Sequence, residues 1–287
     1  METFEIISMR EEAKSQLAGQ HGPIYEALKN IPYKIAILSG KGGVGKTSTT
    51  VNMASILRAK GNNVGIFDAD VHGPSVPKMT GLSGRTDLHG AWQMNAVETA
   101  DGVKVMSVSL FWPGEATPVM WKGHYKARVI RQLLSSVRWG SMLDYLLIDL
   151  PPGTGDEPTT IMKSIPGLNG VVVVTSPQEV SVAVCSKAIS SANELGAPVL
   201  GLIENMSAFE CPHCGGRISV LGEGRGEDLA RTYQIPFLGR VPLSELAGQA
   251  ADEGLPVVVR YPESPVAKAF QACTEGLLAV LKTREGK

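Results

Sequence analysis

Gly40-Lys41-Gly42-Gly43-Val44-Gly45-Lys46-Thr47 stands between a short apolar run, Lys34–Leu38, and a stretch of helical character, Ser48–Lys60. It fits G-x-x-x-x-G-K-[ST], and the strand–loop–helix setting is the context that pattern requires. Glycines let backbone N–H groups turn inward and meet phosphate oxygens with no Cβ in the way. The helix that follows, opening at Ser48, brings the positive end of its dipole to the anion. In such a loop Lys46 reaches the β- and γ-phosphates and the Thr47 hydroxyl ligates Mg²⁺. ATP with Mg²⁺ is therefore the expected ligand.

Outward from this loop, apolar runs and helical patterns alternate. Val64–Phe67, Val103–Val108, Tyr145–Ile148, Val171–Val174, Val199–Ile203 and Phe237–Leu238 read as strands. His124–Val137, Val180–Leu195, Glu227–Tyr233 and Ser264–Lys282 read as helices, the last with Val266, Phe270, Cys273, Leu277 and Leu281 along one face. Continuous apolar strands suit a sheet covered on both sides. The expected fold is α/β: a mostly parallel twisted sheet with helices on both faces. Residues 31–287 form one domain with no internal repeat or linker, and residues 1–30 read as a peripheral helical extension, with a helix near Met9–Leu17 and a break at 19–23.

Two further strand ends carry acids. Asp149 closes Leu146-Leu147-Ile148 and can hold a Mg²⁺-bound water, and Gly153 just beyond can offer its N–H to the γ-phosphate. Asp68 and Asp70 sit where open α/β sheets gather ligands. A plain turn role is the alternative for both.

In 287 residues, 43% are hydrophobic and 19% charged, and the formal net charge is −1. That balance gives no bulk attraction to nucleic acid or anionic lipid. The amino terminus lacks a basic start with an apolar run, and no apolar stretch approaches the ~20 residues of a membrane span. A cytoplasmic protein without nucleic-acid or membrane partners is expected, and its four cysteines are then reduced, metal-bound or reactive rather than disulfide-linked.

Lys41, directly after the first glycine, is similar to the second lysine in the deviant phosphate loop of MinD-like and ParA-like ATPases. That resemblance implies a homodimer in which Lys41 reaches the partner's nucleotide, and an Asp70 that positions the attacking water. A solvated loop lysine is the alternative. The chain further resembles the Mrp/ApbC family of iron–sulfur carrier ATPases over about residues 31 to 285. The segments that carry this are 39–47, Asp68-Ala69-Asp70-Val71-His72-Gly73-Pro74-Ser75, Asp149-Leu150-Pro151-Pro152-Gly153-Thr154-Gly155-Asp156, Glu204-Asn205-Met206-Ser207 and Cys211-Pro212-His213-Cys214-Gly215. It implies slow ATP hydrolysis, a labile [4Fe–4S] cluster passed to apoproteins, and an Asn205 that reads adenine, a buried turn asparagine being the alternative. Two departures stand out. Residues 1–30 hold no cysteine, so no amino-terminal cluster is expected, and Arg225 stands where the family pattern leads one to expect glycine.

Cys211-x-x-Cys214 lies in a turn-forming stretch, whereas Cys185 and Cys273 sit singly in helical patterns and read as small core residues. Two thiolates fill half of the four positions that a zinc ion or a [4Fe–4S] cluster wants. Two chains at a two-fold interface would supply four. Zinc bridging such a dimer and a thioredoxin-like redox pair remain competitors; His213 between the ligands reads as exposed. A positioning ATPase of the MinD or ParA type is the alternative function, and a metabolic kinase would need an acceptor pocket that the sequence does not display.

Overall fold

The computed structural model describes residues 22–71, 73–83, 88–89, 93–110, 123–211 and 214–286. The helix expected near Met9–Leu17, His72 and His213 lie outside them. Helix α1 spans residues 22–28. Then follow β1 (Tyr33–Ser39), α2 (Lys46–Ala59), β2 (Val64–Asp68), α3 (Val76–Met79), the short β3 (Leu88–His89), β4 (Gln93–Asn95) and β5 (Val97–Glu98), and β6 (Lys104–Ser107). After these come α4 (Gly123–Ser136), β7 (Val137–Arg138), β8 (Tyr145–Asp149), α5 (Asp156–Ser164), β9 (Gly170–Thr175), α6 (Glu179–Glu194) and β10 (Val199–Glu210). The chain closes with β11 (Arg217–Ile218), α7 (Arg225–Thr232), β12 (Phe237–Leu243), α8 (Glu245–Asp252), α9 (Val257–Arg260) and α10 (Pro265–Glu285).

The main sheet runs β11-β10-β9-β1-β8-β2-β6-β5, with β12 also on β10. The pairs between β10, β9, β1, β8, β2 and β6 are parallel, as is β12 on β10; only β5 and β11, at the ends, are antiparallel. Alternate residues of β1 point to opposite faces. Ala36 and Leu38 pack with α1, α4, α5 and α6, while Ile35 and Ile37 pack with α2 and α10. Val266, Phe270, Cys273, Leu277 and Leu281 of α10 are all buried, as their spacing predicts; each large one contributes roughly 1.5–3 kcal/mol by leaving water.

One expectation needs correcting. The segment up to residue 30 is not peripheral in its described part: Ile24 and Leu28, at i and i+4 on α1, are buried in the main core. Of the expected 19–23 break, Gly22 and Pro23 lie in the first turn of α1, and residues 19–21 lie outside the described residues.

A candidate nucleotide site and a cysteine hairpin

Strand β1 is central, so the loop that leaves its carboxyl end at Gly40 emerges in the middle of the sheet edge. Gly43 and Gly45 adopt φ of 80° and 82°, where a side chain would be strained. A Cβ on Gly43 would meet nothing within 4 Å, so that side of the loop is open to a ligand. Lys46 begins α2 with only 6% of its side chain exposed, 2.8 Å from Asp149 Oδ2. Its Nζ is ion-paired there but has no hydrogen-bond partner among the described residues. A buried ammonium without an acceptor is costly; phosphate oxygens at the open side of the loop supply the acceptors. The residues present fit a nucleotide phosphate.

Asp149 is fully buried and accepts from two hydroxyls of α2: Thr47 Oγ1 to Oδ2 and Thr50 Oγ1 to Oδ1, both at 2.7 Å. Thr47 and Thr50 are three apart, on one helix face. In the β2–β8 register Asp68 lies opposite Asp149, and Ser107 of β6 opposite Asp68. Ser107 Oγ donates to Asp68 at 3.0 Å, as does the Asp70 N–H at 3.1 Å. Burial pushes the Asp68 carboxyl up to about 8, the Asp149 charge adding to it and Lys46 opposing it. Two buried acids thus share one lysine, and Asp68 keeps its proton. The Thr47 hydroxyl with the Asp149 carboxylate makes an oxygen donor pair suited to Mg²⁺.

The other expected residues are placed as follows. Asp70 is half-buried and accepts from Gly73 N–H at 3.3 Å, so both acids of that turn do cap turns. Lys41 Nζ donates to Gln178 Oε1 at 3.1 Å, across to the start of α6. Asn205 is buried on β10 and its amide donates to Val44 O at 2.9 Å, bracing the loop from behind. Gly153 N–H donates to the carbonyl of Ser39, the residue directly before the loop, at 2.9 Å. Sequence reading missed Thr50, Ser107 and Gln178. Only the threonine carried a signal, three residues after Thr47 on the same helix.

The cysteines divide as their settings predicted. Cys185 and Cys273 are 1% exposed, and burial pushes both thiols up, Cys273 to about 12. Cys211 and Cys214 stand at the tip of the β10–β11 hairpin, where Phe209 pairs with Ile218 and Glu210 with Arg217. Cys211 N–H donates to Gly216 O at 2.9 Å and Gly215 N–H to Cys211 O at 2.8 Å, a tight turn that leaves Cys214 exposed. No group of three or more metal-ligating side chains occurs among the described residues. Nor is any described helix long and apolar enough to cross a membrane.

Known proteins match this geometry. An iron-sulfur cluster carrier protein of Methanocaldococcus jannaschii is 48% identical over 248 residues, 86% of this chain and 85% of its own length. A nucleotide-binding protein from Archaeoglobus fulgidus, solved in complex with ADP and with cobalt found by PIXE, is 40% identical with a TM-score of 0.74, over 87% of this chain and 96% of its own. The cell division ATPase MinD of Pyrococcus furiosus shares the fold at 24% identity, with a TM-score of 0.66 over 87% of this chain and all of its own. The ParA family model described as NUBPL iron-transfer P-loop NTPase matches residues 30–278, and the chain belongs to that family.

Proposed function

We propose that the protein is an ATP-dependent iron–sulfur carrier: two copies hold one labile [4Fe–4S] cluster between their Cys211–Cys214 pairs and deliver it to apoproteins. The observation that carries this reading is the hairpin. Two thiols stand together at an accessible tip, with half the ligands that a cluster wants, at the end of the strand whose middle braces the phosphate loop. A cargo that must leave is best held where an acceptor can reach it. The carrier name of the Methanocaldococcus relative supports the same reading.

On the nucleotide side, Lys46 neutralises phosphate charge and the loop amides orient it, while Thr47 and Asp149 hold Mg²⁺, which when bound supplies charge neutralisation at the phosphates. Asp70 orients the attacking water, Asn205 contributes to the base side of the site, and Lys41 leaves Gln178 to reach the partner's nucleotide. Hydrolysis is slow, and the protein works in the cytoplasm. Zinc can occupy the thiols of protein purified in air.

Anaerobic reconstitution followed by absorption and by iron and sulfide counting tests the proposal. Wild type should hold about two irons per chain, half a four-iron cluster. Cys211→Ala should hold almost none, and unchanged iron in that variant ends the reading.

A further inference from the structure

Strand β10 carries a carboxylate that the nucleotide chemistry leaves unused. Glu204 is fully buried, one residue before Asn205. Such a group is tolerated only when donors surround it. Its Oε1 accepts from Ser207 Oγ and Gly224 N–H, each at 3.0 Å, and its Oε2 from Gly226 N–H at 2.7 Å. Arg240 Nε lies 3.5 Å from Oε1 and pairs onward with Glu227. The partner loop is fitted to it: a Cβ on Gly226 would come within 3.0 Å of Glu204 Cβ. This also explains why arginine is tolerated at 225. The glycine the loop requires is the next one, and Arg225 turns away toward Pro177 O at 3.5 Å.

The loop so anchored runs back to the cysteine hairpin. Glu223 accepts from the Arg217 side chain on β11 and from Ser219 Oγ at 3.2 Å, and Gly222 N–H donates to Ser219 O at 3.1 Å. Residues 214–220 are exposed, and β11 touches the sheet through two register pairs alone. With so little apolar burial, the hairpin depends on this tether for its placement. On the other side of Glu204, Asn205 grips Val44 O. Met206, between Asn205 and Ser207, is held at φ 54°, a left-handed conformation that costs a methionine roughly 1–2 kcal/mol. The surrounding bonds therefore dictate the path of the strand there.

We propose that Glu204 is a positioning residue for the cysteine pair: by rooting the 222–226 loop it fixes the hairpin that presents Cys211 and Cys214. The inference rests on the cysteines being the metal-binding site. Glu204→Gln keeps the volume but turns an amide N–H₂ toward a backbone N–H donor, and Ser207→Ala removes one donor in a milder way. The experiment uses the full chain without iron. Backbone hydrogen exchange is read over 217–224, Co²⁺ affinity from the thiolate-to-cobalt absorption, and ADP affinity by calorimetry.

In Glu204→Gln, exchange over 217–224 should rise at least about tenfold and Co²⁺ affinity fall about tenfold, with ADP affinity within about twofold of wild type. Ser207→Ala should move exchange and Co²⁺ affinity the same way by about threefold. Wild-type exchange and Co²⁺ affinity in both variants would overturn the proposal. So would a parallel loss of ADP affinity, which marks general loosening. A wild type without a cobalt–thiolate band would sink the cysteine reading instead, and the exchange data would then decide the role of Glu204 alone.

Discussion

The phosphate loop and the cysteine hairpin are both tight turns built on glycine, yet they are held in opposite ways. The loop leaves the central strand and is packed from every side but one: Asn205 braces it behind, Asp149 ties Lys46, Thr47 and Thr50 together, and α6 presses on Gly40. The hairpin leaves the sheet edge, is exposed from residue 214 to 220, and hangs from a short ladder and one polar tether. A site that must recognise a charged ligand is pre-organised at the cost of burying its charges. The hairpin, with little burial and few tethers, has the features of an element that opens locally.

The sharpest way to break this contrast is to disable each region alone. Lys46→Ala should weaken ADP binding by about a hundredfold in calorimetry and leave the cobalt–thiolate spectrum unchanged. Cys214→Ala should do the reverse. Loss of both functions in either variant would mean that the two regions are one site.

A second pair of substitutions sharpens the difference in packing. A Cβ on Gly40 would lie 2.7 Å from the Cys185 backbone nitrogen and from the Val184 carbonyl carbon, neither of which can yield without moving α6. Gly40→Ala should therefore cost about 2–3 kcal/mol of unfolding free energy in denaturant melts. Gly215 sits at φ 68° with nothing near its Cβ position, so Gly215→Ala should cost only about 1 kcal/mol. Equal costs would deny that the loop is the more tightly packed region.

The buried acids give an effect that depends on pH. The Asp68 carboxyl is raised from its ordinary 3.8 to about 8 in the folded protein. Over that window the folded state keeps a proton that the unfolded chain releases, so this group's contribution to stability declines as pH rises from about 4 to about 8. Asp68→Asn, which mimics the protonated form, removes that slope. The melting temperature of the nucleotide-free variant should gain on wild type by a few degrees between about pH 5 and pH 8; a constant difference would contradict the shared-lysine account.

The same contrast governs what could be read from the sequence. Gly40 to Thr47 is contiguous, so its residues and its place between β1 and α2 are legible, and the alternating apolar runs give the sheet. The second half of β10 is not, because Glu204, Asn205 and Ser207 break the apolar run and a bulge shifts the register there. The strand therefore extends to Glu210 where the pattern stops at Ile203. Helix α5 escapes notice behind two acids and Pro158 in its first turn. Ser107 and Gln178 enter the site only because sheet register and α6 packing bring distant positions together. The bond from Gly153 N–H to Ser39 O on the neighbouring strand is likewise a pairing that motif spacing cannot show.

In the proposed carrier each chain's loop binds its own nucleotide, while the cysteine pairs of two chains hold one cargo between them. Native mass spectrometry of protein reconstituted without oxygen, with ADP present, weighs both together. The account predicts a two-chain species carrying one [4Fe–4S] cluster, and Cys214→Ala chains that retain ADP with no cluster. A cluster carried by a single chain, or one that survives in Cys214→Ala, would contradict it.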